Sequence, residues 1–533
     1  MLRIGSINQR VVSKVLIGII LLAIIVVPIV RMCFYIDITT IKSVIRSESF
    51  FVALLNSMTS TSVATILSIA LSYLLAWAIN RTNIKLKNLF IVLITLPMLI
   101  PSISHGMGLI ILFGNNGVFT RFFSLSKSIY GFWGVVVGSI LYSFPVAFIM
   151  ISDILKYEDQ TPYEAADVLG LPKGRQFMAI THPYIRKPMI SVVFAIFTMI
   201  VTDYGVTLSV GGKFKTLPVV LYEDAVGQLN YSTGSVIGIV LLIPALVAFV
   251  FDLLNKDKGN SSFFSKEYYK ENKKNDLIAY IVTIFTSLVV IMVIASFVIQ
   301  AFAKSYPSDM SLTIKHFHNT FLKNGGKFLG NSIIIATLTA IVGVSFGTST
   351  AYLTSRMKSK SSRFLHLMSI VSLAVPGLVL GLAYVIVFKR TFIYGSIAIL
   401  ILVNTVHFFA SPYLMIYNAF GKMNENLEDV GHVLGIKRFR IILDVIIPQS
   451  KYTLLEMFSY FFVNSMMTIS AVSFLSTPSN KPISLLINQF ETYNMMECAA
   501  VVALLILTIN VIMKGIVFVI REKGSKNANQ KTI

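Results

Sequence analysis

Cysteine is nearly missing from this chain: two in 533 residues, Cys33 and Cys498, each in or beside an apolar segment. That excludes a small secreted module built on disulfides, and neither residue has metal-ligand spacing. Charge is scarce as well. Charged residues make up 13% of the chain, about half the usual share of a soluble domain. This excludes an ordinary cytosolic enzyme and a disordered chain. Acidic residues are the scarcer sign, 24 against 45 Lys and Arg. No Gly-x4-Gly-Lys-Ser/Thr loop occurs, since Gly212-Lys213 and Gly326-Lys327 are each followed by Phe. The chain therefore has no Walker loop with which to bind ATP. No metal-ligand cluster, nucleophile–base pair or paired carboxylate stands out in the apolar segments, which argues against a membrane-embedded enzyme.

What is abundant is apolar: 55% of residues are hydrophobic and the mean hydropathy is +0.77. A soluble globule cannot hide that much apolar surface, whereas a bilayer asks for it. A spanning helix takes roughly 20 apolar residues. Apolar runs lie near 15–30, 51–79, 88–113, 131–153, 188–210 and 233–254, then near 278–302, 329–354, 364–388, 393–418, 452–475 and 498–520. The first run is not a signal peptide, because the residues after Val30 are bulky and offer no cleavage site. Between the two sets, 255–277 is charged, rich in Ser and Lys and without an apolar period, and reads as a linker. The expectation is an all-α polytopic membrane protein with about twelve spans, six in a first half (1–254) and six in a second (278–533). An even number of spans puts both termini on one side. Placing them inside puts most Lys and Arg in cytoplasmic loops. The net charge of +21 then reflects that bias and the pull of lipid headgroups, and no nucleic acid partner is expected.

The halves repeat each other. Asn56-Ser57 and Asn331-Ser332, Ala76-Trp77 and Ala351-Tyr352, Arg81 and Arg356, and Pro101 and Pro376 all pair at an offset of 275 residues. Farther on, Pro145 pairs with Pro412, Gly170 with Gly435 and Pro183 with Pro448, at offsets of 265–267. Matches of Pro, Arg and Asn in order are hard to obtain by chance between two apolar sequences. Six spans per copy make this a parallel 6+6 duplication, with the central interface as the natural pathway.

The most informative segment is the loop 156–187, KYEDQTPYEAADVLGLPKGRQFMAITHPYIRK, between the fourth and fifth spans. Thr161-Pro162 suits a helix start, with Thr as cap. Gly170 suits a left-handed helix end. The result is a helical hairpin outside the membrane, and the small Ala165 and Ala166 suit close approach by another surface. The loop 424–451, NENLEDVGHVLGIKRFRIILDVIIPQSK, repeats it with Asp429-Val430-Gly431, Gly435, Val445 and Pro448.

Here Glu164-Ala165-Ala166, Gly170, Ile180 and Pro183 resemble the EAA loop of permease subunits of binding-protein-dependent ABC importers. His182 is the one departure in the first copy, and the second copy keeps the Gly and Pro but not the Glu-Ala-Ala letters. The chain is similar to fused permeases of ferric-iron and 2-aminoethylphosphonate uptake. The resemblance implies a permease in a bacterial cytoplasmic membrane, with both termini cytoplasmic. It implies coupling hairpins at Glu164, Ala165, Ala166, Gly170, Ile180 and Pro183 and at Asp429, Gly431, Gly435, Val445 and Pro448. Two copies of a cytoplasmic ATP-binding subunit would hydrolyse the ATP, and an extracytoplasmic binding protein would deliver the substrate. The chain itself is expected to bind no cofactor. The competing reading is an ion-gradient-driven 6+6 secondary transporter, which does not predict matched hairpins. Thr202, Asp203 and Tyr204, with Asn464, Thr468 and Ser470, are polar groups in apolar runs after the hairpins and are candidates for the translocation path.

Overall fold

The computed structural model describes residues 3–124, 128–255 and 273–530. Among them the only sheet is a two-stranded antiparallel ribbon, Ala303–Ser305 against Asp309–Leu312. Eight described helices are long and apolar enough to cross a bilayer: Val12–Phe34, Glu48–Arg81, Phe132–Lys156, Lys173–Val201, Tyr231–Phe251, Lys273–Phe302, Gly325–Arg356 and Met496–Lys523. Three more are bent pairs: Lys87–Leu99 with Ser102–Phe122 at 103°, Lys360–Ala374 with Gly377–Phe388 at 105°, and Ile397–His407 with Ala410–Gly421 at 54°. Lys451–Met467 has 17 residues, about 25 Å of helix, and fills the remaining place between the hairpin 424–451 and the last helix. In chain order these are six and six. Residues 256–272 of the expected linker lie outside the described residues. Residues 273–277 are not linker but the first turns of the seventh helix, which begins at Lys273.

The paired prolines account for the two sharpest bends. Pro101 and Pro376 each follow an extended residue, Ile100 at φ −120°, ψ 151° and Val375 at φ −109°, ψ 109°. A residue before proline is driven out of the helical region by the ring. Each proline then caps the helix that follows. The fifth span departs from the run expected at 188–210. Its helix stops at Val201 and a short helix, Gly205–Val210, begins after a break. The Asp203 carboxylate accepts the Val206 amide at 2.9 Å and so replaces a bond the break removes.

The Asn-Ser pairs of the repeat do the same work twice. Asn56 donates to the Lys215 carbonyl at 2.9 Å, and the Ser57 hydroxyl accepts the Leu217 amide at 2.8 Å. Asn331 donates to the Ser479 and Lys481 carbonyls at 3.1 and 3.2 Å, and Ser332 accepts the Ile483 amide at 2.7 Å. In each half the loop after the broken helix is pinned to the start of a long one.

The halves also exchange their leading helices. Helix Val12–Phe34 packs on Gly377–Phe388 of the second half, where Tyr384 Oη donates to the Ile24 carbonyl at 2.8 Å. Buried Lys14 donates to the Met357 carbonyl at 2.6 Å and to the Ser359 and Ser362 hydroxyls at 2.9 and 2.8 Å. Helix Lys273–Phe302 packs on the second and third spans of the first half. There Val293 stands 2.8 Å from where a Cβ on Gly108 would lie. A similar close approach joins the eighth and eleventh spans: a Cβ on Gly343 would lie 2.5 Å from the Phe461 ring, while Gly330 on the same helix has open space. Gly343→Ala should cost about 1–3 kcal/mol by overpacking, and Gly330→Ala should be neutral or stabilising by up to ~1 kcal/mol. Thermal unfolding of the purified protein in detergent checks this; equal melting temperatures would contradict the packing.

Candidate functional site

The two loop segments fold as matched hairpins. The first is Thr161–Val168, then Gly170, Lys173–Gln176 and a widened π turn, Phe177–Thr181, that runs into the fifth span. The second is Leu427–Val433, then Gly435, Arg438–Ile441 and a π turn, Ile442–Ile446. Gly170 and Gly435 have φ of +66° and +70°. The Leu171 amide bonds to the Ala166 carbonyl at 3.0 Å and the Ile436 amide to the Gly431 carbonyl at 2.8 Å, closing each helix in a Schellman turn. A side chain in that left-handed region costs roughly 1–2 kcal/mol, which is why glycine stands there. The π turns sit just before Pro183 and Pro448. A proline has no amide to donate and its ring crowds the carbonyl four residues back, which a wider turn accommodates.

Two expectations change. Pro162 lies in the first turn as expected, but Thr161 is the first helical residue and Gln160 the N-cap; just before it the Asp159 Oδ1 accepts the Thr161 amide and hydroxyl at 3.1 and 3.0 Å. Of the two alanines expected on the outer face, Ala165 is there and Ala166 is turned into the hairpin. Ala166 is buried, and a Cβ on Gly431 would lie 2.2 Å from Ile441. Ala165, Glu164, Asp429, Pro183 and Pro448 are exposed, and Ile180 and Val445 are half-buried. The outermost side chains are apolar: Val168 and Leu169 are 88% and 76% exposed, Val433 and Leu434 85% and 68%.

Each hairpin is clamped to a long helix by a buried ion pair. Arg356 at the end of the eighth span meets Glu428 at 2.5 and 2.9 Å through both carboxylate oxygens. Its guanidinium also donates to the Asn424 and Met423 carbonyls at 2.7 and 3.1 Å. Arg81, its counterpart, pairs with Glu158. The carboxylates do not align: seven residues before the hairpin glycine stands Glu428 in one half and Tyr163 in the other. Tyr163 donates its hydroxyl to Glu158 and lies under Arg81, 5.2 Å from ring centre to guanidinium. Burial and the neighbouring Glu158 push the Tyr163 phenol up to about 12. The sequence showed the arginines as a pair; it hid their partners, because each half takes its acid from a different position.

The path candidates divide in three. Thr202 Oγ1 donates to the Thr198 carbonyl at 2.8 Å and Asn464 to the Tyr460 carbonyl at 2.7 Å, so both bond to their own helices. Asp203 lines a small cavity within the first half. Tyr204 lies on the seam between the halves: its hydroxyl donates to the Ile469 carbonyl at 3.2 Å and pairs with Ser473 Oγ at 2.7 Å. Ser470 is close by, packed on Gly377, and Thr468 is buried beside it. The seam holds residues the sequence did not single out. Ser209 donates to Glu491 at 2.8 Å, and Asn488 to the Tyr222 hydroxyl at 3.3 Å. Glu491 had one signal, as an acid in an acid-poor stretch after the eleventh span.

Removing one member of a buried pair leaves the other charge uncompensated, at about 3–5 kcal/mol. Arg356→Gln should therefore destabilise strongly, and Arg356→Gln combined with Glu428→Gln should melt above either single variant. If the double variant melts below both, the pair is not the clamp described.

The family described as "Binding-protein-dependent transport system inner membrane component" matches residues 68–257 and 343–523, two copies that begin at the 275-residue offset of the repeat. A putative ferric transport system permease of Haemophilus influenzae is 25% identical over 429 residues, 76% of this chain and 68% of that one. A ferric transport system permease of Actinobacillus pleuropneumoniae is 26% identical over 430 residues, 76% of this chain and 62% of that one. A second Haemophilus influenzae protein, an Fe(3+)-transport system permease, is 23% identical over 485 residues, 88% of this chain and 90% of that one. A crystal structure of a bacterial alginate ABC transporter with its periplasmic protein matches 47% of this chain and 93% of its own at 19% identity and TM-score 0.38. The two family matches together cover more than half of the chain, so this protein belongs to the inner membrane components of binding-protein-dependent transport systems, as an ABC importer permease with two copies of the family's domain in one multi-pass membrane protein.

Proposed function

We propose that the chain is the membrane subunit of a ferric-iron importer, gripped at its two hairpins by two copies of a cytoplasmic ATPase and loaded at the opposite end by an extracytoplasmic binding protein. The observation that carries the coupling is the pair of exposed apolar tips on clamped hairpins. Val168-Leu169 and Val433-Leu434 present apolar surface to water, and each buried Å² is worth about 25 cal/mol once a partner covers it. Behind each tip the Arg81–Glu158 or Arg356–Glu428 pair ties the hairpin to a long helix. A push on the tip then moves a whole span rather than bending a loop. Lysines and arginines such as Lys173, Arg175, Lys437 and Arg440 crowd this end, which supports a cytoplasmic position for the hairpins and, with an even number of spans, for both termini.

At the other end the halves are held by Tyr204–Ser473, Ser209–Glu491 and Asn488–Tyr222. Alternating access requires those bonds to part when the ATPases draw the hairpins together. Ferric iron is preferred over phosphonate because the similar permeases named for ferric or Fe(3+) transport span both halves.

Leu169→Glu with Leu434→Glu changes only exposed positions. It should abolish co-purification of the ATPase and lower uptake of radioactive ferric iron by cells at least about tenfold, a loss of ~1.4 kcal/mol or more in coupling, with the melting temperature unchanged. Normal uptake by that variant would overturn the coupling. Labelled phosphonate uptake without iron uptake by the wild-type system would overturn the substrate.

A further inference from the structure

Asp203 faces a cavity of about 10 Å³ inside the first half, between the second, fourth and fifth spans and the loop that follows. Its lining is rich in hydroxyl residues: beside Asp203 stand Ser57, Ser60, Thr61, Ser139, Thr207 and Thr216, of which Ser60 also donates to the Asn56 carbonyl at 2.6 Å. Ile200 and Val201, at the C-terminal end of the fifth span, also border it, and a helix C-terminus carries partial negative charge. Thr216 is 5% exposed and its hydroxyl has no hydrogen-bond partner. A buried hydroxyl left without a partner costs about 1–3 kcal/mol, a cost that a particle bound in the cavity would remove. Among the described residues, no cationic side chain pairs with Asp203, whose contacts are the Ser102 hydroxyl and the Gly205 and Val206 amides.

The fold does not require a polar pocket here. At the repeat offsets, Ser60, Thr61, Thr207 and Thr216 correspond to Ile335, Ala336, Val472 and Pro482, and Asp203 to Thr468. Ile335, Ala336 and Val472 are buried apolar core. The second half carries hydrocarbon at four of these five positions, so the extra oxygens of the first half answer a separate demand.

We infer that this cavity binds a single sodium ion. Carboxylate and hydroxyl oxygens are hard ligands, suited to a hard cation and poor for a soft transition metal. The volume admits one water-sized particle. One carboxylate balances one positive charge, whereas a divalent ion would leave a net charge buried in a medium that penalises it. The ion would fix the break at 202–204, one residue from the Tyr204 hydroxyl that holds the seam, and so brace the closed end of the molecule.

The test uses the purified full chain in detergent at constant ionic strength, with sodium chloride replaced stepwise by potassium or choline chloride. The expected result is a saturable, sodium-selective rise in melting temperature and one radioactive sodium ion retained per chain. Thr216→Val and Thr61→Ala each remove one oxygen and should weaken the sodium response about tenfold. Thr216→Ser keeps the oxygen and should respond as the wild type does, and Thr468→Val in the other half should leave the response unchanged. Asp203→Asn should abolish it; the hydroxyl variants carry the test should that variant fail to fold. Equal melting in sodium, potassium and choline with no sodium retained, or a Thr216→Val response equal to wild type, would overturn the site and leave a trapped water as its occupant.

Discussion

In hydrocarbon an unsatisfied backbone amide or carbonyl costs several kcal/mol, so a membrane helix can be interrupted only where something else takes over its bonds. The useful parts of this protein are its interruptions. The fifth helix breaks after Val201 because the Asp203 carboxylate receives the Val206 amide. The loops that return from the seam hold their course because Asn56, Ser57, Asn331 and Ser332 supply the missing partners. The hairpins end cleanly because Gly170 and Gly435 reach the left-handed region at little cost. Without these substitutes the chain would relax into unbroken helices with neither seam nor hairpins.

The duplication preserved tasks more faithfully than letters. Both long helices end in an arginine that holds a carboxylate directly, yet the acid comes from a different position in each half, and only Glu158 is also held by a tyrosine, Tyr163. At the sharp bends a hydroxyl faces a glycine twice, with the roles exchanged: Ser102 against Gly205 in the first half, Ser470 against Gly377 in the second. A contact tolerates such exchange because only the sum of the two volumes is constrained.

The sequence displayed whatever depends on period and on special backbone. Apolar runs marked the spans, Gly170 and Gly435 marked the hairpin turns, and Pro101 and Pro376 stood out as a matched pair although the bends they make were not read from them. It did not display what depends on contacts between distant segments. Glu158 and Glu428 sit at different distances from their glycines, so no alignment joins them to Arg81 and Arg356. The break at 202–204 lay hidden in an apolar run, because a single Asp reads equally well as a pathway lining or as a cap. Ala166 looked like a surface feature because composition does not say which face of a short helix is turned inward.

The exchanged leading helix bears on how the molecule is made. Lys14 leaves the ribosome early, but the groups that receive its ammonium, the Met357 carbonyl and the Ser359 and Ser362 hydroxyls, follow some 343 to 348 positions later. Throughout that interval the first helix has its contact with the sixth span, where Met32 lies beside Gly238, but not the partners of its lysine. Joining both permease copies in one polypeptide guarantees that those partners arrive, in equal number and in the same patch of membrane, so that assembly needs no search for a mate.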